Sequence, residues 1–326
     1  MTMVLDDETV RAVFDWRSAV AALREAYRAP GDDARFPDRG VARGDRGWLR
    51  TLSGVPVEPG PMGVKIISAA LGMGQVLYLI PLFDQRTAEL VALLDGHSIT
   101  GYRTAATSAL ASETLAAPGA LTVAVIGSGF EAQNHLRALA AVRELKSAHV
   151  YSPRGESRAR FVAELADLAV PVSAADSAEA AVSDASLVLC AARSRDETPT
   201  LRGAWLRPGM TVVSIGSTLP EQREVDVEVL ARSDVVVVDV LNEVLHDTGD
   251  VIAARAAGID VAGKAVPLAD LIGGRHPGRT DGRQIVLYKS VGSAVQDLAV
   301  AGMCVRNAAR LGLGTDIAIN IHPVQK

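Results

Sequence analysis

The sequence of 326 residues has little cysteine, no surplus of basic charge and no long apolar run. Its two cysteines, Cys190 and Cys304, stand far apart among apolar or small neighbours, and neither belongs to a CxxC pair. This argues against a disulfide framework and a cysteine-based zinc site, and a reducing compartment, the cytoplasm, fits better. Lys and Arg total 33 against 38 Asp and Glu, a formal net charge of −5, which argues against a broadly basic nucleic-acid-binding face. No window reaches the roughly 18 uncharged apolar residues of a membrane span. The start, Met1-Thr-Met-Val-Leu-Asp-Asp-Glu, lacks the basic and apolar stretches of a signal peptide. The 6 histidines show no HxxxH or HExxH spacing, so no metal is expected, and no GxSxG marks an acyl-transfer serine. Internal repeats and low-complexity tracts are absent too.

What remains is an ordinary globular composition, 48% hydrophobic and 22% charged, long enough for one large domain or two. From Asp6 to about Ala29, the residues Val10, Val13, Phe14, Val20, Leu23 and Tyr27 recur at helical spacing, with Asp6 suited to cap. Residues 31–47 read as loop around short extended pieces. Strand-like runs follow at 48–52, 64–68, 76–83 and 89–94, with hairpin chemistry at Asp84-Gln85-Arg86-Thr87, so a mainly antiparallel sheet is expected in the first hundred residues. A small-residue helix, capped by Thr100, should run to about Ala117, where Pro118-Gly119 marks the domain boundary. Beyond it strand and helix alternate: strands at 121–126, 149–152, 187–190, 212–215, 235–238 and 285–288, helices at 132–143, 157–168 and 293–311, the last stopped by Gly312. That alternation predicts a parallel sheet covered by helices.

One motif stands at the required place. Leu121-Thr-Val-Ala-Val-Ile126 runs into Gly127-Ser128-Gly129-Phe130-Glu131-Ala132, a GxGxxA between a buried strand and a helix. Gly127 permits the turn, Gly129 lets the backbone approach a pyrophosphate, and Ala132 keeps helix and strand close. The next strand ends Tyr151-Ser152-Pro153-Arg154, with no carboxylate before Glu156 to accept from a ribose 2′-hydroxyl. Ser152 and Arg154 suit a 2′-phosphate instead, so NADP(H) is the expected cofactor, with NAD(H) also possible.

Outside this unit stand Phe36-Pro37-Asp38-Arg39, Gly63-Val64-Lys65, Leu94-Asp95-Gly96 with Arg103-Thr104-Ala105-Ala106, and Lys289-Ser290-Val291-Gly292 with Gln296-Asp297. In that order around a GxGxxA they resemble the ornithine cyclodeaminase/μ-crystallin family, over most of the chain from about Arg35 to Gly314. The resemblance implies an α/β fold: a Rossmann-type parallel-sheet domain over residues 118–300, plus a discontinuous α+β substrate and dimerisation domain over 1–117 with 301–326, in a homodimer. It places Arg39 and Arg103 near a substrate carboxylate and Lys65 beside the reacting nitrogen. Cofactor contacts are expected at Arg103, Gly127, Gly129, Phe130, Glu131, Ser152, Arg154, Ala192, Ile215 and Ser290. Lys65 lies in an apolar strand, where burial and arginine neighbours lower an amine's pKa toward useful acid–base values.

The family's cyclodeaminases carry an Asp where this sequence has Thr218, which therefore joins Lys65 in the expected catalytic set. A Thr hydroxyl has no usable ionisation at neutral pH and cannot replace a carboxylate base. The expected activity is thus NAD(P)H-dependent reduction of a C=N bond next to a carboxylate, or the reverse oxidation of an amino acid. The alternatives are a cyclodeaminase with recycled NAD, and a non-catalytic NADPH-binding protein. The partner is a small imino or amino acid, with neither nucleic acid nor membrane. Asp297 reads as a cap or orienter of the last helix, Glu224 as a structural or loop residue, and the acids around Glu243, His246, Asp247 and Asp250 carry no assigned chemistry.

Overall fold

The computed structural model describes residues 1–29, 31–193 and 196–325. They fall into two compact units, residues 1–104 with 293–326, and residues 105–292. The first boundary lies inside a helix rather than at the Pro118-Gly119 break after it, and the second lies at Ser293 rather than near residue 300. A helix stays hydrogen-bonded whichever unit its turns pack in, so the residues that stop it need not mark where packing changes.

Among the described residues the strands are β1 (Thr2–Leu5), β2 (Gly40–Arg43), β3 (Gly47–Gly54), β4 (Met62–Ala70), β5 (Gln75–Phe83), β6 (Leu90–Asp95), β7 (Leu121–Ile126), β8 (Leu145–Tyr151), β9 (Val172–Ala174), β10 (Leu187–Cys190), β11 (Thr211–Ser214), β12 (Val235–Val238), β13 (Ala265–Pro267), β14 (Val286–Lys289) and β15 (Thr315–Ile317). The helices are α1 (Asp7–Val13), α2 (Trp16–Arg28), α3 (His97–Leu115), α4 (Phe130–Val142), α5 (Gly155–Glu164), α6 (Ala178–Val182), α7 (Val227–Arg232), α8 (Leu241–Asp247), α9 (Gly249–Ala256), α10 (Leu268–Ile272) and α11 (Ala294–Leu311). None is long and apolar enough to cross a membrane among the described residues.

In the first unit the sheet order is β15-β1-β6-β5-β4-β3-β2. Every neighbouring pair is antiparallel except β1 and β6, so the expected antiparallel sheet is there, extended by strands from both ends of the chain. Asp6 caps α1 by accepting from Thr9 N (2.8 Å), and Asp15 caps α2 by accepting from Ser18 N (2.7 Å). In α2 the residues Ala19, Val20, Leu23 and Tyr27 form the buried stripe. Helix α11 stops at Gly312, whose φ of +65° is the left-handed conformation that ends helices. Register decides which residues of β4 face this helical layer. The pairs Leu52–Lys65 and Arg50–Ile67 put Lys65 and Ile67 on one face, and both are buried. The opposite face carries Leu49, Ile66, Leu77 and Leu79, also apolar but only partly covered.

The second unit is an all-parallel sheet in the order β13-β12-β14-β11-β10-β7-β8-β9. Strands β10, β11, β12 and β14 are buried at every residue, as expected when both faces are covered by helices. The chain goes from β7 outward to β8 and β9, then returns to β10 on the other side of β7. That reversal makes the carboxyl ends of β7 and β10 the place where such sheets bind ligands.

Candidate active site

The first unit buries an ionic cluster. Lys65 leaves β4 and donates from Nζ to Asp297 Oδ1 at 2.8 Å. Arg103 of α3 brings its Nε to 3.0 Å from the same oxygen. Both cationic side chains and the carboxylate are buried, Lys65 at 1% exposure and Asp297 at 0%. Arg103 Nη1 also donates to Gln296 Oε1, whose amide donates to the Tyr27 hydroxyl at 3.1 Å. Arg39, half-buried in the loop before β2, lies close enough to act electrostatically on Lys65. Three expected residues, Arg39, Lys65 and Arg103, therefore share one environment.

Burial pulls the Lys65 pKa down to about 8, and the positive charges of Arg103 and Arg39 push the same way. Asp297 opposes them through its charge and its hydrogen bond. The second oxygen of Asp297, Oδ2, is buried and accepts no hydrogen bond among the described residues. Two cations thus share one carboxylate, with a third cation nearby. In a water-excluded setting, that surplus positive charge attracts an anion.

Two expectations about this region are corrected. Thr100 does not cap α3: its hydroxyl donates to Gly96 O (2.8 Å) from inside the helix. The helix starts earlier because Asp95 accepts from His97 N (2.8 Å) and Asp7 accepts from Ser98 N (3.1 Å). Arg103 therefore projects from the second turn, not the first, and its charge rather than the helix start faces the cluster. Nor is Asp297 a helix cap. Ser293 occupies that position in α11, and the Asp297 carboxylate is spent on Lys65 and Arg103.

The second unit holds the glycine-rich turn in the expected context. Gly127 has φ +114°, and a Cβ there would sit 2.5 Å from Ala191 O, so only glycine fits. At Gly129, the N-cap of α4, a Cβ would meet nothing within 4 Å. Open space before a helix of that length, with no side chain capping it, fits a pyrophosphate. Phe130 is exposed and Glu131 half-buried in the first turn of α4. Ser128 Oγ donates to Ser152 Oγ (2.9 Å), tying the turn to the end of β8. Arg154 is exposed at the N-cap of α5. A second arginine, unremarked in the sequence, lies beside it: Arg158 donates to Ser152 O (2.6 Å), with its guanidinium 5.7 Å from the Tyr151 ring centroid.

Ala192 and Ile215 follow β10 and β11, half-buried at the carboxyl edge of the sheet. Ser290 is buried and donates to Asp239 Oδ2 (2.6 Å). Thr218 sits in a turn where its N–H and hydroxyl both donate to Gln222 Oε1, at 3.0 and 3.3 Å. It belongs to the second unit, whereas Lys65 belongs to the first.

Residues 63–311 match the ornithine cyclodeaminase/mu-crystallin family. The chain belongs to that family. It is 30% identical to the ketimine reductase mu-crystallin of Mus musculus, over 86% of this chain and 88% of that protein. Among solved structures it is similar to Thermococcus litoralis Δ1-pyrroline-2-carboxylate reductase in complex with NADH and L-proline. That match has TM-score 0.87 and 26% identity, and covers 97% of this chain and 100% of the other. An archaeal alanine dehydrogenase dimer with bound NAD aligns at TM-score 0.86 and 26% identity, over 97% of this chain and 99% of that one.

Sequence reading missed the work of Asp297 and Gln296, and the presence of Arg158. Asp297 was signalled only by its place in the Gln-Asp pair. An acid in the first turn of a helix has a sufficient local explanation in the helix dipole. Its pairing with Lys65 spans 232 residues.

Proposed function

We propose that this family member is an oxidoreductase that reduces a C=N bond next to a carboxylate with NAD(P)H, or oxidises the corresponding amino acid. The observation that carries the reading is the buried pairing of Lys65 and Arg103 on one Asp297 oxygen, which leaves net positive charge for a substrate carboxylate. Arg103 and Arg39 hold that carboxylate, since guanidinium offers a planar fork for it. Lys65, with a pKa near 8, is charged often enough at neutral pH to give a proton and neutral often enough to take one back. In the reducing direction its Nζ protonates the nitrogen. The bound nicotinamide supplies or accepts the hydride. Thr218 orients neighbouring groups through its hydroxyl and moves no proton of its own. Orientation and charge placement account for most of the expected acceleration.

For the cofactor, the fit rests on Gly127, Gly129 and the tie from Ser128 to Ser152. NADP(H) is favoured by the absence of a carboxylate at the end of β8 and by Arg154, with Arg158 beside it. A second copy of the chain is the partner that suits the partly exposed face of Leu49, Ile66, Leu77 and Leu79. Two free, buried cysteines accord with a cytoplasmic setting. The deciding experiment is a screen of cyclic imines and of 2-oxo acid/amine pairs with NADPH and NADH. Stoichiometric loss of reduced-cofactor absorbance supports the reading. Ammonia release without net cofactor change overturns it in favour of a cyclodeaminase, and tight NADPH binding with no turnover in favour of a binding protein.

A further inference from the structure

One buried, fully hydrogen-bonded acid of the second unit is not used by the proposed reaction. Glu224 is 0% exposed. Its Oε1 accepts from Ala192 N (3.0 Å), and its Oε2 accepts from Gly216 N (2.8 Å) and Ser214 Oγ (2.7 Å). Ala192 belongs to the loop after β10 and Gly216 to the loop after β11, so one carboxylate ties together the exits of two adjacent parallel strands. The fit is close: a Cβ on Gly216 would run into Glu224 Oε1. The loop after β10 in turn backs the glycine turn, where a Cβ on Gly127 would meet Ala191 O at 2.5 Å.

The backbone that carries this side chain is itself held. Asp250 Oδ1 accepts from Glu224 N (2.8 Å) and Val225 N (3.2 Å). Lys289 reaches Asp250 Oδ2 (3.0 Å), Ser214 Oγ (3.1 Å) and Ser217 O (3.0 Å). Ser214 therefore accepts from Lys289 while donating to Glu224. The groups with charge or titration facing Glu224 are Lys289 on β14, Asp250 on α9 and the Cys190 thiol on β10, with Arg223 Nε 3.6 Å from Asp250 Oδ1.

We propose that Glu224, as a carboxylate, is a positioning residue for the dinucleotide, setting the backbone at Ala192 after β10 and at Gly216 after β11 in its binding-competent arrangement. This rests on the reading of residues 105–292 as the nicotinamide-binding unit. Three donors converge on two oxygens, and an ionised carboxylate is acceptor-only. Protonation puts a hydrogen among those donors and loosens the tie. Burial raises the Glu224 pKa to about 7, against the opposing effects of Lys289 and the hydrogen bonds from Ser214 and Gly216. The tie is therefore made and broken within the neutral range.

The test is NADH affinity by fluorescence titration from about pH 6 to about pH 8, with thermal unfolding measured alongside. NADH is the probe because it lacks the 2′-phosphate, which titrates near 6. Wild-type affinity is expected to fall about tenfold on acidification, with a midpoint near 7. E224Q, which imitates the protonated acid, should stay at the weak acid plateau throughout. A merely structural role predicts otherwise. A carboxyl whose folded pKa lies above its unfolded value stabilises the fold at low pH and loses that contribution as pH rises through about 7. Acidification would then favour the fold and leave affinity unmoved. If E224Q does not fold, S214A serves: it removes one donor to the carboxylate, so the midpoint should shift to higher pH. NADH affinity independent of pH in the wild type, or an unshifted midpoint in S214A, overturns the proposal alone. Failure of the folded wild type to bind NADH or NADPH at any pH overturns the cofactor reading with it.

Discussion

Lys65 Nζ lies 2.8 Å from Asp297 Oδ1, and both side chains are shut off from water. An amine in that position feels desolvation and two arginines on one side, a single carboxylate on the other, and settles near 8. On the proposed function, the charged form gives the proton in the reducing direction. The imine-reduction rate should therefore be flat below about 8 and fall tenfold per unit above it, while amino-acid oxidation should rise through the same value. K65A should lower both rates by about 10²–10⁴-fold and remove that limb of the profile, leaving NADH affinity within twofold. Steady-state profiles with a cofactor titration check this, and an unchanged limb in K65A would assign the proton to another group.

Asp297 raises the Lys65 pKa by its charge and its hydrogen bond, so D297N should lower it. The limb near 8 is expected to move to lower pH in D297N, a shift that a simple loss of stability does not produce. Stability should fall as well, by about 3–5 kcal/mol, because Arg103 is left beside an uncharged amide. A pH–rate profile together with urea unfolding separates the two effects.

How much of this arrangement local sequence could reveal follows from the range of the interactions involved. The parallel sheet was legible because strand and helix alternate with their own periods, and each period is a local property. The burial of Lys65 was legible because Val64, Ile66 and Ile67 leave little room for a fully wet face in β4, and Lys65 is 1% exposed. The start of α3 was misplaced, since Thr100 has the chemistry of a cap while the true start is held by Asp95, a local signal passed over for Thr100, and by Asp7, a residue 91 positions away from Ser98. Glu224 reads as a structural or loop residue and Asp250 as part of a helix start or loop, and only tertiary contact with Ser214 and Lys289 gives them a role. Strands β1 and β15 are short and pair with each other from opposite ends of the chain.

The two glycines of the turn should separate steric from binding roles. At Gly127 a side chain meets Ala191 O at 2.5 Å on a backbone with φ +114°, so G127A should cost about 1–3 kcal/mol of stability and also weaken cofactor binding. At Gly129 a Cβ meets no protein atom within 4 Å, so G129A should unfold like wild type and still bind NADH at least tenfold more weakly. Thermal unfolding and fluorescence titration on the same preparations decide it. Unimpaired NADH binding in G129A would mean that the pyrophosphate does not approach this backbone.

The end of β8 should set the choice between NADPH and NADH. It offers Ser152, an exposed Arg154, and Arg158 anchored on Ser152 O at 2.6 Å, with no carboxylate to repel a phosphate. A guanidinium paired with a dianionic 2′-phosphate makes a charge-assisted bond worth about 1.5–3 kcal/mol, roughly ten- to a hundredfold in affinity. Against a ribose hydroxyl the same side chain gains little, since an exposed arginine is as well served by water. R154A is therefore expected to weaken NADPH by that factor and NADH by less than twofold, and raising the salt concentration should erode the NADPH advantage of the wild type. Calorimetric titration of both cofactors at two ionic strengths measures this directly. Equal losses for the two would place Arg154 away from the phosphate, and R158A would then be the variant expected to discriminate.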